Sequence, residues 1–202
     1  MNNEKAWNEK VNFFRKTVDR LGKKIDPKIL NAVVGINLSG LSTEKSCEGH
    51  LYYGIASPWV NIIVANSEKI LAVYKKIETL REKTLTKDGE EKSISEEKKV
   101  IWKEIHVLVK KKDKLLSKNF QKIIELLSKF YFPRQNVPYE NRIIVKENYL
   151  GARLICQGFL LQESRNVQER REKLIEYQKE FSIFADFLKN IFLHFQAKLN
   201  II

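Results

Sequence analysis

The run from Ser95 to Phe132 places Ile101, Ile105, Leu108, Leu115, Phe120, Ile123 and Leu127 among charged residues, and Pro133 and Pro138 then break it. Apolar residues returning every three or four positions draw one stripe along an α-helix, so the run predicts a single long helix. A stripe of this kind needs a cover. Residues 67–83, with Ile70, Val73, Ile77 and Leu80 on one side, predict a second helix that folds back on the first as an antiparallel partner. Between Thr84 and Lys99 the chain turns polar and carries Asp88-Gly89, a loop signal.

Trp7, Val11, Phe14, Val18 and Leu21 predict an N-terminal helix ended by Gly22. Asp26-Pro27 opens a second helix, with Asp as N-cap and Pro in the first helical position; Ile29, Val33 and Ile36 form its inner face up to Gly40. In PWVNIIVA the alternation of Val60, Ile62 and Val64 predicts a strand, and the additional apolar Ile63 implies cover on both of its faces. Residues 142–158, RIIVKENYLGARLICQG, hold two apolar runs around Glu147 to Gly151 and predict a hairpin. Ser164 is placed to cap a last helix reaching about Leu199, along which Val167, Leu174, Tyr177, Phe181, Phe184, Leu188, Ile191 and Phe195 keep helical spacing. Its end, FSIFADFLKNIFLHF, is apolar on more than one face, as in a core helix or a homodimer interface. The expected architecture is α+β: one domain over residues 1–202, a small antiparallel sheet packed with helices, a helical hairpin inserted at about 67–132, and a long C-terminal helix.

A hydrophobic share of 43% suits a globular chain, and no run approaches the roughly 20 apolar residues of a membrane span. Without a secretory signal at the N-terminus, a cytoplasmic protein with reduced Cys47 and Cys156 and no membrane partner is expected. The formal net charge of +12 favours RNA or another polyanion as partner. Lysines alternating with glutamates on helices also make ordinary solvated faces, which is the other reading of the same charge. Eight glycines supply no phosphate-binding Gly-rich loop, and no Walker, Rossmann or zinc-finger spacing occurs, so no cofactor can be named.

Residues 42–62, STEKSCEGHLYYGIASPWVNI, differ from the rest of the chain. If STEKSC is extended, Glu48-Gly49-His50 forms its tip or end, and Gly49 permits a positive φ that turns His50 back over Cys47. That would collect Cys47 as nucleophile or metal ligand, His50 as base or ligand, and Glu48 as acid, base or orienting carboxylate. Thr43, Ser46, the backbone around Gly49 and Trp59 would contact a substrate, with Trp59 as a stacking platform for a base. A zinc clip on Cys47 and His50 needs two further ligands, and Cys156, His106 and His194 lie far off in sequence, so no metal site is expected. The purely structural alternative is a buried Cys and a satisfied His in a tight turn, with Trp59 an ordinary core aromatic.

Thr43-x-x-Ser46-Cys47-Glu48-Gly49-His50 followed by Pro58-Trp59-Val60 resembles a signature of uncharacterised bacterial proteins, T-x-x-S-C-[ES]-G-H with P-[WY]-[VI] downstream. More distantly it is similar to the tRNA wybutosine-synthesis methyltransferase family, whose S-x-S-S-C-S-G-R also follows a helix and precedes a strand. Ser46, Cys47 and Gly49 are shared; Lys45 and Glu48 stand in place of serines and His50 in place of the arginine. The resemblance spans about twenty residues, with an echo in IIVKENYLGARLI, and implies a fold relation and a site location.

The leading expectation is a nucleic-acid-related protein, an RNA-modifying transferase in its sharpest form, with its site in the SCEGH turn. One alternative is a non-enzymatic module docking onto RNA or an acidic partner through Lys98, Lys99, Lys103, Lys110, Lys111 and Lys112. The other is a helical dimerisation protein.

Overall fold

The computed structural model describes residues 3–19, 21–63, 67–84, 96–148 and 151–199. The expected loop before Lys99 lies almost wholly outside them, as do the side chains of Ile70, Leu115 and Phe195. The elements run α1 (Asn3–Lys16), α2 (Pro27–Leu38), β1 (Ser42–Cys47), β2 (Trp59–Ile63), α3 (Ser67–Thr84), α4 (Glu96–Tyr131), β3 (Ile143–Asn148), β4 (Gly151–Cys156) and α5 (Val167–Leu199). The fold is α+β. Four antiparallel strands lie in the order β1-β2-β4-β3, so the chain's second and fourth strands form the centre of the sheet.

Strand periodicity decides which residues enter the core. Val60 and Ile62 of β2 pair with Leu154 and Ala152 of β4, and these four point to one face with Ile143 and Cys156. Ile29, Ala32, Val33 and Ile36 of α2, the end of α4 from Ile123 to Phe130, and Phe181, Phe184, Ala185 and Leu188 of α5 cover that face. Gly35 lets α2 and α5 approach closely: a Cβ there would sit 2.7 Å from Leu188 Cβ. Phe181, Phe184 and Leu188 of the aromatic stretch of α5 are therefore spent inside the chain's own core. Cover on the opposite face of β2 is partial, with Trp59, Asn61 and Ile63 half-buried.

The helical pair forms as its stripes predict. Val73, Ile77, Leu80 and Ile105 make a separate apolar cluster, and Lys76–Glu104 and Lys112–Tyr74 contacts show that α3 and α4 run antiparallel. At 36 residues, α4 is about 54 Å long. Its first half thus packs on α3 while its last turns reach the sheet.

Two element ends differ from expectation. Helix α1 stops at Lys16 rather than running to Gly22, leaving Val18 and Leu21 exposed. Thr17 Oγ1 donates back to Phe13 O, and the Asp19 carboxylate accepts the Leu21 and Lys23 N–H groups in a turn closed by a Val18–Lys24 bridge. These local acceptors compete with the helix for the chain. Helix α5 is capped by Asn166, not Ser164. Asn166 Oδ1 accepts the Glu169 N–H and Glu169 Oε2 accepts the Asn166 N–H, each at 2.9 Å, a reciprocal capping box. Residues 157–164 are a 3-10 stretch in which Ser164 bonds back to Leu161 O.

Candidate functional site

STEKSC is extended as β1, an edge strand, and the chain turns after Cys47 through Gly49 at φ 86°. A glycine is required there on two counts. The positive φ strains any L side chain, and a Cβ would lie 2.6 Å from Leu174 Cδ1 and 2.8 Å from the Ser57 carbonyl carbon.

Among the described residues, one group of His, Cys, Asp or Glu side chains converges closely enough to hold a metal ion: Asp26, Cys47 and His50, whose ligand atoms all lie within 4.8 Å of one another. All three are half-buried, reachable from solvent yet held on the protein. Asp26 makes no side-chain cap for α2, despite its N-cap position. Its Oδ2 accepts the Glu48 N–H at 3.1 Å, while Glu48 Oε2 accepts the Lys28 N–H at 3.2 Å. Glu48 has taken over the capping, and the carboxylate beside Cys47 and His50 belongs to Asp26.

Further bonds hold the turn. The Gly49 N–H reaches Cys47 Sγ at 3.4 Å, and Gln178 Nε2 donates to Glu48 O at 2.9 Å while its Oε1 accepts from Lys28 Nζ. His50 donates its backbone N–H to Ile55 O at 3.1 Å, and its ring stacks on Tyr53 with centroids 4.3 Å apart. Burial pushes the Cys47 thiol above its ordinary range; the Gly49 N–H opposes this, and the Asp26 and Glu48 carboxylates reinforce it. Burial also pushes up the thiol of Cys156, fully buried on β4, which takes no part in the centre. His106 on α4 and His194 on α5 are exposed and stand outside it as well.

A cleft of about 340 Å³, in the size range of small-ligand sites, is lined by chain neighbours of Asp26 and Cys47, though by none of the three residues of the centre. It lies between β1 and the α1–α2 connection. Thr43, Ser46 and Trp59 line it together with Lys23, Lys24 and Lys45, and so do Ile25 and Ser46, the chain neighbours of Asp26 and Cys47. Asn37 Nδ2 fixes Thr43 Oγ1 at 2.8 Å. The Arg153 guanidinium, anchored on Asn61 Oδ1 at 2.8 Å, covers one face of the Trp59 ring at 4.2 Å.

The lysines of α4 divide. Lys99, Lys103 and Lys110 share a face at helical spacing with Trp102 and His106, and Trp102 is 49% exposed. Lys112 faces inward: it pairs with Glu147 at 3.2 Å and Asp113 at 3.3 Å and lies over the Tyr74 ring. Lys98 is half-buried and Lys111 projects away from the shared face.

Residues beyond the sequence expectation are Asp26 and the cleft lysines Lys23, Lys24 and Lys45. Asp26-Pro27 carries a strong helix-start signal, and nothing local shows that Glu48, 22 positions on, performs the capping instead. No helix among the described residues is long and apolar enough to cross a membrane. No family model, curated protein or solved structure matches the chain.

Proposed function

We propose that this is a nucleic-acid-related protein whose site is the SCEGH turn with its adjoining cleft, an RNA-modifying transferase being the most specific form of that reading. The observation that carries it is the juxtaposition itself: Asp26, Cys47 and His50 converge, and Asp26 and Cys47 are chain neighbours of Ile25 and Ser46 in the wall of a cleft lined by hydroxyls, aromatic rings, two carboxylates and three lysines. Lys23, Lys24 and Lys45 suit phosphates, Trp59 suits a base, and Thr43 and Ser46 suit sugar or phosphate oxygens. The signature around Ser46-Cys47-Glu48-Gly49-His50 supports the same location.

Anisotropy of a labelled single-stranded RNA over a salt series tests it. Affinity should fall with salt at a slope near −0.7 for each phosphate neutralised. Replacing Lys23, Lys24 and Lys45 by Glu together should flatten that slope, and Trp59→Ala should weaken binding by roughly 1–3 kcal/mol. A flat salt dependence of the native chain would overturn the reading.

The exposed face of α4 favours a second reading. Trp102 stands among Lys99, Lys103 and Lys110, an aromatic flanked by cations on which a non-enzymatic module would dock RNA or an acidic partner. In that case Lys103→Glu with Lys110→Glu would reduce affinity and the cleft variants would not. A homodimer through α5 has less to build on, because Phe181, Phe184 and Leu188 are already buried within the chain; sedimentation of a monomer at high concentration would remove it.

A further inference from the structure

We propose that Asp26, Cys47 and His50 form a mononuclear zinc site with an open fourth position. The inference deepens the reading of the same centre as functional, but it does not depend on nucleic acid being the ligand.

Three different donors converge from two separate segments of chain: a carboxylate oxygen from the residue before α2, a sulfur from the last residue of β1 and a ring nitrogen from the turn that follows it. A mutual separation within 4.8 Å leaves room for one ion between the donors, onto which a small side-chain movement would bring them to Zn–S of about 2.3 Å and Zn–N and Zn–O of about 2.0–2.2 Å. The donor set selects the ion. A thiolate disfavours magnesium and calcium, which take oxygen ligands, and a mixed sulfur, nitrogen and oxygen set suits zinc. One thiolate and one carboxylate also neutralise a divalent cation. Among the described residues no Lys or Arg forms an ion pair with Asp26.

Backbone N–H groups hold two of the donors as outer partners of a metal site do, and a ring contact backs the third. Glu48 N–H fixes the Asp26 carboxylate, Gly49 N–H points at Cys47 Sγ, and Tyr53 backs the His50 ring. The sacrifice of Asp26 as a helix cap, with Glu48 supplying the cap from across the turn, frees its carboxylate for this use. Three protein ligands leave the fourth tetrahedral position to water or to a donor atom of a bound ligand, the pattern of reactive rather than structural zinc. Cys47 is then a metal ligand, not a nucleophile.

Cobalt(II) is the probe. Chelator-stripped protein, kept reduced, is titrated with Co²⁺ and followed in the near-ultraviolet and visible. The expected result is one Co²⁺ per chain with a thiolate-to-cobalt charge-transfer band and intense tetrahedral ligand-field bands, both displaced by Zn²⁺. Cys47→Ser should abolish the charge-transfer band. His50→Ala and Asp26→Asn should weaken Co²⁺ binding by more than the roughly 10–100-fold typical of losing an outer partner, and Cys156→Ser should change nothing. Far-UV circular dichroism checks that each variant is folded. Native protein that shows no charge-transfer band at stoichiometric Co²⁺, or a band that survives Cys47→Ser and vanishes in Cys156→Ser, overturns the proposal whatever the chain's affinity for RNA.

Discussion

The Asp26 and Glu48 side chains cross over at the start of α2: the Glu48 carboxylate accepts the Lys28 N–H, and the Asp26 carboxylate accepts the N–H of Glu48. The two bonds tie the start of a helix to the end of an edge strand, 22 positions apart. They also set the direction of the Asp26 carboxylate, which otherwise would fold back onto its own helix as an N-cap does.

Glu48→Ala therefore removes a helix cap from a distance. It should lower stability by about 1 kcal/mol, read as a shift in the urea midpoint with an unchanged slope. A zero shift would mean that water serves the Lys28 N–H equally well.

Gly49→Ala should cost more than the usual penalty for leaving glycine. Strain at a positive φ is worth about 1–3 kcal/mol, and here the new Cβ also meets the Ser57 backbone, which cannot swing aside as Leu174 can. Urea denaturation gives the loss, and cobalt titration of the same variant shows whether the Cys47–His50 turn has moved.

Glu180 is the most consequential buried charge in the core, 5% exposed on α5. It accepts two bonds from Arg134, at 2.8 and 2.7 Å, and one from Tyr131 at 2.9 Å, while Tyr131 Oη accepts the Ile143 N–H at 2.6 Å. This joins the end of α4 to the start of β3 and to α5. Glu180→Ala leaves Arg134 without its partner and should cost toward the lower end of the roughly 3–5 kcal/mol seen when one member of a buried pair is lost, because Arg134 still reaches water. A double change with Arg134→Met should recover part of it.

The Lys173 ammonium holds the Glu176 carboxyl below the usual carboxylate range; partial burial opposes it and Asn141 assists. A depressed folded pKa contributes stability above the unfolded value of about 4.3 and loses it as pH falls through the folded value. Glu176→Gln should thus lower stability at neutral pH and leave less difference from native at about pH 3, measured by denaturation at both pH values. The effect is small, since the carboxylate is partly solvated.

Much of this molecule is legible from periodicity alone, and the failures fall where side-chain bonds, local or from another element, decide the outcome. The stripes on α3, α4 and α5, the alternation in β2 and the β3–β4 hairpin follow from local spacing, so they appear where the pattern puts them. Helix α1 outran its true end in the pattern because Val18 and Leu21 continue the stripe, while the Asp19 turn that stops it competes through side-chain bonds. The cap of α5 went to Asn166 rather than Ser164 because reciprocal pairing needs the Glu three residues later. At the site, Cys47, Gly49 and His50 announce themselves by composition within four positions. Asp26 does not, because its use is decided by Glu48 from another element. Lys112 looks like its neighbours in the KKKDK run, and only packing against Glu147 and Tyr74 separates it from them.

Amide and indole NMR shifts on adding a short single-stranded RNA show directly which face of the protein meets nucleic acid. Perturbations should concentrate at Lys23–Ile25, Thr43–His50 and the Trp59 indole. Perturbations confined to Trp102, Lys103 and Lys110 on α4, or none at an RNA concentration that saturates anisotropy, would contradict the proposed site.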